Sequence, residues 1–136
     1  MKSKKTITKL YFDHENSIED RLNDKCSGVR YAQMGTDCYK LLRNSKLVVA
    51  TNNCTTPVES IAINTLTITF WYPEHWELAV SPSPFFDKLR DCAVFHDSPE
   101  SAVLTVNQVR DDVDKWRQSD DVVFAYNCSI PLDSYI

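Results

Sequence analysis

Hydrophobic and polar positions alternate most regularly between Ile61 and Tyr72, where Leu66, Ile68 and Phe70 are interleaved with Thr65, Thr67 and Thr69. A period of two is that of a strand with one buried face, and β-branched side chains suit its pleated surface. The pattern predicts a strand over 61–72, closed by Pro73. A helical period follows: Ala102, Val106, Val109, Val113 and Trp116 recur at steps of four, three, four and three, one face of a helix. Ser98-Pro99-Glu100 stand ahead of it as an N-cap, a proline at the first helical position and a first-turn acid. A helix over 99–118 is therefore predicted. In an alternative reading, Val103–Val106 form a strand and the helix restarts at Asn107. Shorter patterns predict strands at Thr6–Phe12, Val29–Met34, Lys46–Thr51, Leu78–Val80, Cys92–Phe95 and Val122–Tyr126. Helices are predicted at Ile18–Lys25, Cys38–Arg43 and Phe85–Asp91. Asn52–Ser60, with Pro57, reads as a polar loop.

Strands that follow one another through short helices and polar turns predict an α+β fold: a mainly antiparallel sheet of about five strands, with two or three helices packed on one face. A chain of 136 residues without repeats or low-complexity tracts predicts a single globular domain over 1–136. The two glycines, Gly28 and Gly35, exclude the closely spaced glycines of dinucleotide and Walker A phosphate loops. No apolar run approaches the roughly 18 residues of a membrane span, and Met-Lys-Ser-Lys-Lys is followed by no apolar stretch. A cytoplasmic protein is expected.

The five cysteines, Cys26, Cys38, Cys54, Cys92 and Cys128, are widely spaced, as small core residues rather than a disulfide framework. Cys92 and His96 are the one close pair of zinc-type ligands, two of the four a structural site needs, so no metal is expected. His75-Trp76-Glu77 matches the His-x-Glu of zinc deaminases, but their Pro-Cys-x-x-Cys is absent. Cys38 follows Gly35-Thr36-Asp37 and opens a predicted helix, where amides and dipole favour a thiolate. A cysteine opening a helix, with a later histidine, is similar to the layout of papain-like hydrolases, including cell-wall endopeptidases with Asp-Cys at this position. Asp37-Cys38 matches, whereas Tyr39-Lys40 replace the usual Ser-Gly. The resemblance implies Cys38 as nucleophile, His75 or His96 as base, and Asp97 as a group orienting His96.

The net charge of −4 is unevenly distributed: residues 1–50 carry ten Lys or Arg against six acids, and residues 51–136 carry five against thirteen. The acidic second half points to a protein partner with a basic surface, such as a toxin or nuclease, rather than to nucleic acid. The aromatic segment supplies anchors of the kind that dominate interfaces. The sequence thus predicts a non-catalytic binding or inhibitor protein, of toxin-immunity or phage counter-defence type, without cofactor. Its contact residues would be Trp71, Tyr72, Glu74, His75, Trp76 and Glu77 with Asp111, Asp112 and Asp114. One alternative is a homo-oligomer sequestering a nucleotide or small molecule through aromatic faces and Arg30, Arg43 or Arg110. The other is the papain-like cysteine hydrolase.

Overall fold

The computed structural model describes residues 5–10, 17–33, 35–51, 55–72, 74 and 83–127. The chain divides into two compact units, Met1–Cys38 and Tyr39–Ile136. In the first, helix α1 (Ser17–Lys25) forms where Ile18–Lys25 was predicted. The predicted strands at 6–12 and 29–34 reduce to one parallel bridge between Thr8 and Tyr31 among the described residues. The Thr8 amide donates to the Arg30 carbonyl at 2.7 Å, and the Ala32 amide to the Thr8 carbonyl at 2.9 Å. Tyr31 Oη ties this bridge to α1 through Asn23 Oδ1 at 3.1 Å.

Helix α2 (Cys38–Asn44) spans the unit boundary. After it come β1 (Val48–Ala50), α3 (Thr55–Ala62), β2 (Thr67–Phe70), α4 (Ser83–Asp91), β3 (Phe95–His96), α5 (Pro99–Val109), α6 (Val113–Arg117) and α7 (Asp120–Asn127). The sheet order is β1-β2-β3, and both pairings are parallel, with Val49 beside Ile68 and Thr69 beside Phe95. This corrects the expectation of an antiparallel five-strand α+β sheet with two or three helices on one face: three parallel strands are joined by helical crossovers, and seven helices are present among the described residues. A parallel neighbour requires the chain to return along the sheet, which a tight turn cannot do. The first crossover is α3, formed where a polar loop was expected. Pro57 sits in its first turn, where a missing N–H costs nothing, and Pro57, Val58 and Ile61 are buried.

Both faces of the sheet are covered. Thr67, Ile68 and Thr69 have no exposed surface, so the alternation of Leu and Ile with Thr marks two buried faces rather than one wet and one dry. Thr67 faces α3, where its hydroxyl lies 2.7 Å from Ser60 Oγ. The Pro57 carbonyl lies 2.9 Å from Ser60 Oγ and the Thr65 carbonyl 2.9 Å from Thr67 Oγ1, so the two hydroxyl protons are shared among three contacts. Thr69 Oγ1 is buried with no hydrogen-bond partner among the described residues. Ile68 clusters with Ala102 and Val109 of α5, while Ile61, Phe86, Leu89, Phe95 and Val122 join Leu66 and Trp71 in a second cluster. Trp116 is partly buried and packs against both. Strands buried on both faces are the normal condition of parallel sheets.

The predicted helix 99–118 is two helices. Ser98 caps α5, its side chain accepting from the Ser101 amide, and Asp112 leaves helical geometry at φ −141° to cap α6, Oδ1 accepting from the Lys115 amide at 3.1 Å. The alternative strand at Val103–Val106 is also overturned, since that stretch is α5. The predicted strand at Val122–Tyr126 is helix α7: Asp120 and Asp121 in its first turn complement the helix dipole, and burial of Val122 overrides the β-propensity of Val-Val-Phe. The predicted strand Leu78–Val80 lies outside the described residues. No helix among the described residues is long and apolar enough to cross a membrane.

Candidate functional site

Parallel strands bring all their carboxyl ends to one edge, where loops and helix N-termini gather polar groups. Here β2 leads into Trp71, Tyr72 and Glu74, and β3 ends at His96, followed by Asp97, Ser98 and the first turn of α5. Alternation along β3 sends Phe95 to the aromatic cluster and His96 to the opposite face, against α5.

His96 is 7 % exposed and both ring nitrogens are engaged. Nδ1 lies 2.7 Å from Ser101 Oγ, and Nε2 lies 2.8 Å from the Ala93 carbonyl oxygen. A carbonyl only accepts, so Nε2 carries a proton, and in its neutral form the ring presents the Nδ1 lone pair to the Ser101 hydroxyl. Ser101 itself is exposed. The arrangement is a hydroxyl, a base and a group orienting the base, in hydrogen-bonded series, which is the logic of an activated hydroxyl. Of its two hydrogen-bond partners, Ser101 is exposed and Ala93 half-buried.

The same edge is braced by Arg90 of α4. Its Nε and one Nη donate to the two Asp97 carboxylate oxygens at 3.0 Å each, and the other Nη donates to Asp87 at 2.7 Å. The bidentate bonds to Asp97 hold the guanidinium's pKa above its ordinary value. The guanidinium carbon also stands 4.9 Å from the Phe95 ring centre. Beneath it, Trp71 meets Phe86 edge-on at 5.4 Å and Phe95 at 4.4 Å between ring centres.

The predicted contact residues are not brought together as a group. Trp71 is buried in the core, Tyr72 and Glu74 are exposed, and His75, Trp76 and Glu77 lie outside the described residues. Asp112 is a helix cap, and Asp111 and Asp114 are exposed beside it. Of the cysteines, Cys26 is exposed, Cys38 half-buried and Cys92 buried, while Cys54 and Cys128 lie outside the described residues. His96, one of the two bases considered for Cys38, has its nitrogens committed to Ser101 and Ala93. Sequence reasoning found His96 but missed Ser101. The available signal was a helix start, Ser98-Pro99, placed directly after a short apolar strand: that junction sets a strand-end side chain against the first helical turn.

Fold and site define an α/β protein of open parallel-sheet type, with a hydrogen-bonded histidine–serine pair at the carboxyl edge. The chain belongs to the LIC12162 family of transferases, whose family model matches residues 2–127. No curated protein and no solved structure matches it. Membership of a transferase family corrects the expectation of a non-enzymatic inhibitor of immunity or counter-defence type.

Proposed function

We propose that the chain takes part in group transfer to an acceptor at the carboxyl edge of its parallel sheet, with His96 acting as general base through Ser101. The observation that carries this reading is the hydrogen-bonded series from Ser101 Oγ through His96 to the Ala93 carbonyl. The acceptor's X–H proton passes to Ser101 Oγ as the Ser101 hydroxyl proton passes to His96 Nδ1. X bonds to the electrophilic centre of the donor, and the leaving group departs with the electron pair of the broken bond. The imidazolium then returns its proton through Ser101 to the leaving group, while Nε2–H stays on Ala93. General acid–base assistance of this kind contributes about 10²–10⁴-fold.

The test supplies activated donors of several classes (acyl thioesters, sugar nucleotides, nucleoside triphosphates) with hydroxyl acceptors. Ser101→Ala, at an exposed position, should fold normally and lose about 10²-fold or more in transfer rate with little change in KM. His96→Gln should lose transfer rate to a similar degree, again with little change in KM. Full turnover by Ser101→Ala would remove the proposal.

A further inference from the structure

At the opposite end of the same sheet, before the first residues of β1 and β2, lies a cleft of about 440 Å³. That volume is within the range of small-ligand sites. Three cations line it from three different places: Arg43 from the last turn of α2, Lys46 from the turn into β1, and Arg117 from the end of α6, with Asp114 as the one acid in the lining. We propose that this cleft binds a small phosphorylated ligand, at a site separate from the carboxyl edge.

Three features support an anion here. First, Arg43 and Lys46 have no ion-pair or hydrogen-bond partner among the described residues, whereas Arg90 is saturated by two carboxylates. Second, Arg117 is oriented in advance: one Nη donates to the Asn64 carbonyl at 2.9 Å, leaving the rest of its fork available, and Asn64 holds its position in the left-handed region at φ 60°. Third, the helix end that would repel an anion is already covered by donors. Asn44 Nδ2 reaches the Lys40 carbonyl at 2.8 Å, Ser45 Oγ the Leu41 carbonyl at 2.7 Å, and Thr65 Oγ1 the Leu42 carbonyl at 3.2 Å. The negative pole of α2 is thereby blunted just where Arg43 emerges. Converging guanidinium and ammonium groups favour phosphate over a carboxylate, since three separate acceptor oxygens can be met at once.

The unaltered 136-residue chain should be titrated with inorganic pyrophosphate and, in parallel, with a nucleoside diphosphate and a phosphosugar, following backbone amide resonances. Shifts confined to the lining, at Arg43, Ser45, Lys46, Asn64, Thr65 and Arg117, are expected with pyrophosphate. A tighter response to one of the organic ligands would say which moiety the remaining volume accepts. Arg43→Gln with Lys46→Gln, both exposed, should weaken binding about tenfold or more, and Asp114→Asn should tighten it. No shift at the cleft with pyrophosphate, shifts spread over other basic positions such as Lys25, or a response to heparin and duplex DNA alone would each overturn the proposal. These amide shifts report on the cleft whether or not Ser101→Ala affects transfer, so the two proposals fail separately.

Discussion

Residues 1–38 and residues 39–136 are held by different forces. Among the described residues, every buried side chain comes from Leu42 or later. Before that point α1 is exposed apart from a half-buried Leu22, Ile18 lies open, and the contacts that order the segment are surface hydrogen bonds. Beyond it, the sheet is covered on both sides and closed by interlocking aromatic rings. A surface hydrogen bond exchanges a protein partner for water at little net gain, whereas each large apolar side chain buried contributes about 1.5–3 kcal/mol. Similar hydrogen-bond lengths therefore conceal very different stabilities.

Hydrogen exchange gives the largest expected contrast. The Thr69 amide donates to the Val94 carbonyl at 2.8 Å and the Thr8 amide to the Arg30 carbonyl at 2.7 Å. Thr69 should exchange through global unfolding, about 10³-fold or more slower than Thr8, which opens locally. Equal protection at the two sites would break the comparison. Truncation sharpens it: Phe95→Ala should cost about 3–5 kcal/mol in denaturant unfolding, and Leu22→Ala about 1 kcal/mol or less. Comparable losses would mean that α1 shares a core of its own.

Thiol chemistry gives a smaller contrast of the same kind. Burial pushes the Cys92 thiol above its ordinary pKa, outweighing backbone hydrogen bonds that act the other way, while Cys26 is exposed. Site-resolved alkylation at neutral pH should modify Cys26 readily and Cys92 only after unfolding. The thiol's contribution is fully present below the ordinary thiol range and is lost as pH rises through the folded-state pKa. An early loss of Cys92 protection, before alkaline unfolding, would count against its burial.

Much of the local structure was readable in the residues. Ser98-Pro99-Glu100 started a helix as its chemistry requires, and α1, α2 and α4 form at their predicted places. What misled was context. Thr65, Thr67 and Thr69 looked like a solvent face because threonine is polar, yet Thr67 is buried against Ser60. Pro57 looked like loop chemistry because its place in a first turn depends on where the helix begins. Val122–Tyr126 looked like a strand because propensity was weighed without the preceding acids. With α3 read as a loop, no crossover remained after β1, and an antiparallel sheet followed. At the site, His96 was visible as a titratable residue, but its partner was not: the distance from His96 to Ser101 is set by the turn between β3 and α5, which composition does not encode.

Ala93 extends that point to the backbone. It occupies the left-handed region at φ 60°, where a side chain costs about 1–2 kcal/mol and glycine would rest easily. Its carbonyl, turned by that torsion, is the acceptor that keeps a proton on His96 Nε2. The choice of tautomer is thus made by a peptide plane, and no titratable neighbour is needed to make it. Position 93 is a hinge pin for the imidazole: the twist of its main chain decides which ring nitrogen faces the Ser101 hydroxyl.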